Sequence, residues 1–527
     1  MNASAIQERL PFLKNFTRLI FIFFIVYGFI TKFFISLYLS LDSDSVGMGL
    51  MSMEIGKHYN FLLSGYHLLS TDSLVLTELI PFQLVPQILT NYNPVALKLV
   101  VFFIFILAVF LLSYLVYLVT KDTTATLLFG ALAANIPPEG YFWYTYPTTH
   151  NATIVFGALI LILLCVMNTR MRTHKKGEGA HREMNSSNLN ISWSHFIALL
   201  VLVFLSVFSD SIILVWILIP CIIAHILVYP AKGYAGNFII LLMGVVAVIA
   251  YVIKTFFIPG WIKGNFGIHS ISDIFLVNIP LYLKAQAMLL NTGLYHLMGG
   301  REINIVDILS ILLFAVLILY TLLNMVKDFK KGSTGKRFFY TIFVTSIVLI
   351  VVSFLISTYV YDITGARYLT FGTLAILILV AASSSEGGKS FTVIVVAFLI
   401  LSGISSFAYV SNLDPNPNER EYDLISFLED QNLMYGYGTY WDSNIITYLS
   451  KEKVTIRPTY FLPDSIRPFL LNACDRWWEY RPESAFLLVD TTRNDEYQAE
   501  LPSLREKWNL SKVFHYRDYD IYPITLK

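Results

Sequence analysis

The feature that most constrains this chain is a series of apolar runs, each about 17–23 residues long, which is the length that crosses the ~30 Å hydrocarbon core of a bilayer as a helix. Strands of a membrane barrel would instead alternate apolar and polar residues over ~10 positions, and these runs do not. Because a bilayer admits only helical bundles and closed barrels, the sequence predicts an all-α polytopic membrane bundle. The composition agrees, since 56% of the residues are hydrophobic and only 14% are charged.

The apolar runs predict about eleven transmembrane helices. They lie near residues 17–40, 97–119, 123–136, 152–168, 194–209, 211–229, 236–258, 305–325, 338–358, 368–383 and 391–410. Two loops, 169–193 and 326–337, are rich in lysine and arginine, so the positive-inside rule places both in the cytoplasm. With eleven spans the N-terminus is cytoplasmic and the C-terminus lies outside.

Three large segments then fall on the outer face: the loop 41–96, the loop 259–304 and the tail. We divide the chain into a transmembrane module, residues 1–411, and an extracytoplasmic soluble domain, residues 412–527. A domain of that size is ordinary. Elaboration on one face usually marks the working face of a protein, so the site is expected there.

Secondary structure within these outer segments is predicted from local pattern. Amphipathic or apolar stretches at Val46–Ile55, Leu74–Leu89 and Ile274–Leu290 indicate short helices at the membrane interface. In the tail, β-like runs at Val454–Arg457, Ala485–Val489 and Lys512–His515 alternate with helical stretches, among them Asp423–Gln431. The tail is therefore predicted to be a small α/β or α+β domain.

Carboxylates at the membrane surface are the first candidate site residues. Asp42 and Asp44 open the first outer loop, just before a predicted interfacial helix. Asp44 either serves as a general base or metal ligand or caps that helix. Asp210 interrupts a long apolar block, where a charge is costly; it lies solvated in a tight outer turn or lines a cavity. His150, at the outer start of a helix, either contacts a polar substrate or caps the helix.

Basic residues on the outer side are the second set of candidates. Arg367, followed by Tyr368, begins a late helix at the lipid surface, where its planar fork could grip a phosphate. The alternative is an arginine that snorkels to the interface. Lys284 lies in the second outer loop against the positive-inside trend, so it either faces an anionic ligand or is a solvated loop charge.

Several classes of protein are disfavoured by what the sequence lacks. It contains no Walker motif, Gly-rich dinucleotide loop, HExxH or G-x-S-x-G pattern. The three cysteines, Cys165, Cys221 and Cys474, have neither disulfide-framework nor zinc spacing. We therefore predict no metal, no required cofactor and no nucleic-acid partner.

Motifs at both ends of the chain resemble those of GT-C-fold integral membrane glycosyltransferases. The Asp-Ser pair after the first helix, the helix pattern VGMGLMSMEI, Ser64-Gly65-Tyr66 and Ser70-Thr71-Asp72 are similar to the first outer loop of these enzymes. Gly365-Ala366-Arg367-Tyr368-Leu369 resembles their later Arg-Tyr motif. The tail segment that runs from Tyr435 to Asp442 and contains Trp441 is similar to soluble tails of bacterial members, including O-antigen serotype-converting glucosyltransferases.

The resemblance implies an enzyme that moves a sugar from an undecaprenyl- or dolichyl-phosphate carrier to an acceptor, with inversion. It implies Asp44 as the base that deprotonates the acceptor hydroxyl, with Asp42 or Asp72 as a second acid because many members have Asp-Glu where this chain has Asp44-Ser45. Arg367 would contact the carrier phosphate, with Tyr368 beside it. Tyr66 and Trp441 join the candidates for the substrate pocket, where Trp441 would stack on a sugar or belong to the core.

The resulting hypothesis is an inverting hexosyltransferase of the bacterial inner membrane, with a periplasmic C-terminal domain. Its partners would be the lipid-linked sugar, membrane lipid and a surface-glycan or glycolipid acceptor of the lipopolysaccharide O-antigen type. An O-antigen polymerase or ligase is the alternative enzyme, although that class would show several arginines in its outer loop. A lipid or solute transporter is the non-enzyme alternative and would show broken helices and polar midplane residues.

Overall fold

A computed structural model gives the fold of the protein. It describes residues 3–177, 193–229, 234–258, 261–263, 267–384, 389–462, 465–480, 482–492, 502–503, 506, 510 and 513–525. The predicted cytoplasmic loop 169–193 falls largely outside these residues. The start of the run predicted at Lys512–His515 does so too.

The described chain is mostly helical. Up to residue 177 the helices are α1 Ala3–Leu37, α2 Gly47–Gly56, α3 Val75–Leu89, α4 Pro94–Thr120, α5 Thr123–Ala134, α6 Pro138–Thr145 and α7 Asn151–Gly177. There follow α8 Trp193–Ser209, α9 Leu214–Val228, α10 Tyr234–Phe256, α11 Ile271–Leu290, α12 Thr292–Met298, α13 Ile305–Lys331, α14 Thr334–Ile356, α15 Thr370–Ser383 and α16 Lys389–Val410. The C-terminal region adds α17 Glu419–Asp430 and α18 Tyr440–Leu449.

The protein is a polytopic membrane protein, as predicted. Eight helices of the described chain are long and apolar enough to cross a membrane, and α5, α7, α8 and α9 contain shorter apolar stretches. Together these include a helix for each of the eleven predicted spans. Two of the short helices pack inside the bundle: α5 contacts α1 and α4, and α7 contacts α4 and α8. Because neighbouring helices rather than lipid cover them, these spans need not fill the bilayer thickness alone.

Helix α11 is longer than the interfacial stretch predicted at Ile274–Leu290, and by length it could also cross a membrane. Near its start, Asn278 donates to the carbonyl of Leu355 at the end of α14, 2.7 Å away. Near its end, the backbone of Met288 and Leu289 packs on Gly140 in α6. Those neighbours lie at the face of the bundle that carries the C-terminal region, which we call the domain face. Both ends of α11 therefore lie at one face, as an interfacial helix requires.

The C-terminal region forms a six-stranded mixed sheet in the order β4-β3-β2-β6-β8-β7. The strands are β2 Tyr435–Gly438, β3 Thr455–Leu462, β4 Ser465–Pro468, β6 Ser484–Asp490, β7 Phe514–Tyr516 and β8 Tyr519–Thr525; two short strands, β1 Tyr66–His67 and β5 Ala473–Cys474, pair elsewhere. Strands β3, β2 and β6 run parallel, and the remaining neighbours in the sheet are antiparallel. Helix α18 connects β2 to β3 as a βαβ unit. The small strand-containing domain predicted for the tail, of α/β or α+β type, is confirmed.

The loop 41–96 and the C-terminal region share one hydrophobic core. Strand β1 of the loop pairs with β5 of the C-terminal region, and residues of α2, α17, α18 and the sheet bury their side chains together. Buried Glu54 in α2 accepts hydrogen bonds from Arg476 at 2.6 Å and from the indole of Trp477 at 2.5 Å. This contact fixes the C-terminal region on the loop, so neither part is independent of the other.

Helix α2 was predicted to lie at the membrane interface, and instead nine of its residues, Gly47 to Ile55, are buried. The reason is that α2 lies between α3 and α18, so apolar side chains on every face find protein neighbours. Its apolar sequence without a polar face is typical of a helix buried on all sides.

Gly49 is the closest point of contact between α2 and α18. A Cβ at this position would lie 2.2 Å from the ring of Tyr448, whose hydroxyl is bonded to Gln87 and cannot easily move. We expect Gly49→Ala to destabilise the protein by about 1–3 kcal/mol, the usual cost of overpacking. The measurement is thermal unfolding in detergent, followed by tryptophan fluorescence.

Gly244→Ala is the matched control, because Gly244 is also helical and a Cβ there has no neighbour within 4 Å. Its melting temperature should be unchanged or higher, since alanine favours helix. A melting temperature for Gly49→Ala equal to that of Gly244→Ala would show that Tyr448 yields to the added methyl group.

Candidate functional site

A cavity of about 630 Å³ lies at the domain face, between the transmembrane bundle and the C-terminal region. Five parts of the chain that are distant in sequence line it: the loop 41–96, the turn between α6 and α7, the segment before α15, the start of α18 and the segment between β4 and β5. Its lining residues are Asp44, Met48, Met51, Leu68, Leu69, Asp72, Ser73, Leu74, Thr148, Tyr361, Arg367, Tyr440, Trp441, Phe469, Leu471 and Asn472. The cavity thus combines ionisable, aromatic and apolar surfaces.

The C-terminal region reaches the cavity through the carboxyl end of β2. Strand β2 ends at Gly438, and α18 begins at Tyr440 directly afterwards. Since ligands of open parallel sheets bind beyond the carboxyl ends of the strands, this corner is where such a sheet would be expected to contribute to a site. Trp441 occupies the first turn of α18 and lines the cavity.

Asp44 lines the cavity and is mostly buried. The hydroxyl of Tyr440 donates to its Oδ1 at 2.5 Å, and Asn472 in turn donates to the Tyr440 hydroxyl at 2.9 Å. Burial raises the pKa of Asp44 above its ordinary value of 3.8; the Tyr440 bond and Arg367 lower it, whereas the charges of Asp42 and Asp72 raise it. A carboxylate with a raised pKa in a cavity is suited to accept a proton.

Helix α2 has no side-chain capping hydrogen bond at its N-cap position, Val46, so Asp44 does not cap it. Asp42 instead holds the turn that precedes the helix. Its Oδ1 accepts from the backbone amide of Ser45 at 2.9 Å, just before α2, and from the hydroxyl of Tyr146 at 2.5 Å. The Asp44 side chain makes no such contact with the helix among the described residues. Asp42 does not line the cavity, so its influence on the cavity is through its charge near Asp44.

Arg367 lines the cavity from the 3₁₀ helix Ile363–Leu369, which Asp362 caps by accepting from the Thr364 amide at 2.9 Å. The guanidinium lies 5.0 Å from the centre of the Tyr368 ring and donates to the Tyr368 hydroxyl at 3.1 Å. Its Nε is buried and has no hydrogen-bond partner among the described residues. A buried donor without a partner on a cavity wall fits an anionic ligand that the cavity would admit.

His150 and Asp210 form a buried pair and are not among the residues that line the cavity. His150 Nδ1 lies 2.7 Å from Asp210 Oδ2, and their side chains are only 5% and 1% exposed. Asp210 is therefore neither solvated nor part of the cavity wall. The His150 ring packs against Tyr368, with centroids 5.4 Å apart. The pair thus packs against Tyr368, which in turn contacts the guanidinium of Arg367.

The remaining candidates are divided between the cavity and its surroundings. Asp72 lines the cavity, and its charge interacts with Arg367. Tyr66 is 1% exposed and lies in the shared core, where its hydroxyl donates to the Asn472 carbonyl at 3.2 Å. Lys284 lies on α11 and is not among the residues that line the cavity with Arg367.

Tyr440 and Asn472 are site residues that the sequence analysis missed. Tyr440 falls within the tail segment that resembles known glycosyltransferase tails, yet it lies 396 residues from its partner Asp44. No local pattern could show that contact. Thr148 was missed as well, although it lines the cavity and donates to the Asp44 carbonyl at 2.9 Å.

No group of three histidine, cysteine or acidic side chains in the described part of the chain is placed to hold a metal ion. The cavity has two carboxylates, Asp44 and Asp72. Both belong to the loop 41–96, which also lines the cavity with apolar side chains such as Leu68 and Leu74. The chemistry that the cavity offers is therefore that of a carboxylate base and a guanidinium.

No protein-family model matches the sequence, and a search of curated proteins gave no significant match. Six chains among solved structures match the fold, including ArnT from Cupriavidus metallidurans, crystallised bound to undecaprenyl phosphate. That structure is 11% identical in sequence, with a TM-score of 0.53, and the match covers 95% of this chain and 97% of the ArnT chain. Since the match extends over both the bundle and the C-terminal region, the chain has the GT-C fold that its motifs predicted.

Proposed function

We propose that this protein is an inverting glycosyltransferase that takes a sugar from a polyprenyl-phosphate carrier. The observation that carries the proposal is the presence of Asp44 and Arg367 on the wall of one cavity, in a fold shared with a structure that holds undecaprenyl phosphate. A membrane site with apolar wall residues suits a lipid-linked donor. An acceptor of the surface-glycan or lipopolysaccharide O-antigen type, and a hexose as the transferred sugar, complete the proposal.

The proposed reaction is a single displacement. Asp44 removes the proton of an acceptor hydroxyl, and the oxygen attacks the anomeric carbon from the face opposite the phosphate. The bond between that carbon and the phosphate oxygen breaks, and the polyprenyl phosphate leaves with the bonding electrons. The guanidinium of Arg367 stabilises the charge that develops on the phosphate. Tyr368 holds the guanidinium in place, and no metal is needed.

The proposed location is the bacterial inner membrane, with the N-terminus in the cytoplasm and the cavity at the periplasmic face. The basic loops predict this orientation, and the cavity lies at the opposite ends of the helices that those loops connect. For example, α14 runs from the basic segment near Thr334 to Ile356, just before the cavity residues Tyr361 and Arg367.

The test is transfer of labelled sugar by purified protein in proteoliposomes. Undecaprenyl- and dolichyl-phosphate sugars serve as donors, and lipopolysaccharides and other surface glycans serve as acceptors. We expect transfer from at least one donor, with the opposite anomeric configuration in the product. Transfer with retained configuration would overturn the single displacement, and folded protein without transfer from any donor would overturn the proposed donor class.

Tyr440→Phe should change the pH dependence of transfer. The tyrosine hydroxyl favours the charged form of Asp44, so its removal raises the pKa of Asp44 further. Because the base must be deprotonated, activity falls as the pH drops through that pKa, and the acid limb of log(kcat/KM) should move to higher pH. The measurement is a pH profile of the wild type and the variant at saturating acceptor.

Tyr460→Phe provides the control, since it removes a hydroxyl from a residue of β3 in the C-terminal region that does not line the cavity. Its profile should match the wild type. An acid limb that stays in place in Tyr440→Phe would mean that a group other than Asp44 controls it.

A further inference from the structure

The C-terminal region supplies a part of the cavity wall that is mainly aromatic and uncharged. Trp441, Phe469, Leu471 and Asn472 lie there beside Tyr440. Among them Trp441 stays 44% exposed, although its chain neighbour Tyr440 is buried. An exposed indole on a cavity wall is available to a ligand, whereas Asp44, Asp72 and Arg367 line the cavity from other parts of the chain.

The aromatic side chains of this part of the wall pack against one another and against Tyr460. The ring of Tyr440 lies 5.3 Å from that of Trp441 and 4.9 Å from that of Phe469, and Tyr460 lies 4.9 Å from Phe469 on the other side. Anchored rings lose little conformational freedom when a ligand packs on them. The Asn472 amide, which already donates to Tyr440, brings a polar group to the edge of this surface.

The charges of the cavity limit what it can hold. Two acidic residues, Asp44 and Asp72, and one basic residue, Arg367, line it within the described residues. If Arg367 binds the carrier phosphate, no cation of the wall is left for a second phosphate. A phosphate acceptor would then meet two carboxylates without compensation, which is costly in a partly buried site.

The chemistry of the base leads to the same conclusion. A phosphate acceptor is already an anion at neutral pH and needs no base, whereas a sugar hydroxyl must lose its proton as it attacks. The raised pKa of Asp44 therefore suits a hydroxyl acceptor.

We propose that Trp441, Phe469 and Asn472 form the acceptor subsite and bind an uncharged sugar residue, with its apolar face on the indole and its attacking hydroxyl directed to Asp44. The role of this subsite as an acceptor site rests on the proposed function. Its binding chemistry, a neutral pyranose rather than a phosphate, can be tested without any donor.

The test is saturation-transfer difference NMR on the full-length protein in detergent, with neutral oligosaccharides as probes. Glucose 6-phosphate and inorganic phosphate serve as charged probes. We expect ring-proton signals from at least one neutral oligosaccharide and no displacement by the phosphates. Trp441→Ala should weaken this binding about tenfold, which corresponds to about 1.4 kcal/mol, and Trp441→Phe should retain most of it.

Tyr422→Ala is the matched control, because Tyr422 is 45% exposed in the same region and does not line the cavity. It should bind as the wild type does. Equal binding by Trp441→Ala, or displacement of the sugar by phosphate, would overturn the subsite. A failure of sugar transfer from every lipid donor, with sugar binding intact and dependent on Trp441, would instead overturn the proposed function alone.

Discussion

Asp44→Asn should lower kcat/KM for sugar transfer by about 10²–10⁴-fold, the usual contribution of a general base. Asparagine has the shape of aspartate, and its amide oxygen can still accept the hydrogen bond from Tyr440. The variant should therefore fold and bind the donor normally. What it loses is the ability to remove a proton from the acceptor, so the defect should appear in kcat rather than in donor binding.

The assay compares wild type, Asp44→Asn and Asp414→Asn in proteoliposomes, with donor binding measured separately. Asp414→Asn makes the same chemical change at an exposed position of the linker that follows α16, and it should keep full activity. Normal turnover by Asp44→Asn would remove Asp44 as the base. Asp72, the other carboxylate on the cavity wall, would then be the next candidate.

The transmembrane helices were predictable because the signal that defines them is local. A run of apolar side chains must be a helix within a bilayer, whatever its neighbours are. The helices predicted at the membrane interface were harder to interpret. An apolar sequence shows that a helix is buried, but not whether lipid or protein buries it. Helix α2 is covered by α3 and the C-terminal region rather than by lipid.

Three strands of the C-terminal sheet, β2, β4 and β8, were missed, and in β2 and β8 the local signal for a strand is weak. Strand β2 has the sequence Tyr-Gly-Tyr-Gly, and glycine weakens any local preference for strand. It is nevertheless a central strand, because β3 and β6 pair with it on either side. Strand β8, at Tyr519–Thr525, contains Pro523, and a proline within a run lowers the sequence-based expectation of a strand.

The candidate site was predictable only in part. Asp44, Asp72, Arg367 and Trp441 were singled out from motifs, and all four line one cavity. Tyr368 directly follows its partner Arg367, but other contacts could not be found from motifs, because they join distant parts of the chain. The hydroxyl of Tyr440 reaches Asp44 across 396 positions, and Asp210 meets His150 across 60. The pairing of His150 with Asp210 explains how a charge can occur in an apolar block without facing the cavity.

Arg367→Ala should lower kcat/KM for the lipid-linked donor by about 10²–10³-fold, as expected when a group that stabilises a developing charge is removed. The guanidinium has a buried Nε without a partner in the described chain, and the cavity wall offers no second cation there. Both donor binding and turnover should suffer, since the phosphate is charged before and after transfer. Arg367→Lys should recover only part of the loss, because lysine keeps the charge but not the planar fork.

Arg301→Ala is the control for Arg367→Ala, since Arg301 is exposed, follows α12 and does not line the cavity. Binding of undecaprenyl phosphate to each purified variant separates the two possible roles of Arg367. Weak binding together with slow transfer would place the carrier phosphate on the guanidinium. Normal binding with slow transfer would mean that Arg367 acts on the transition state alone. Full activity in Arg367→Ala would move the phosphate elsewhere, and Lys284 on α11, a helix that packs against the segment bearing Arg367, would be the cation to change next.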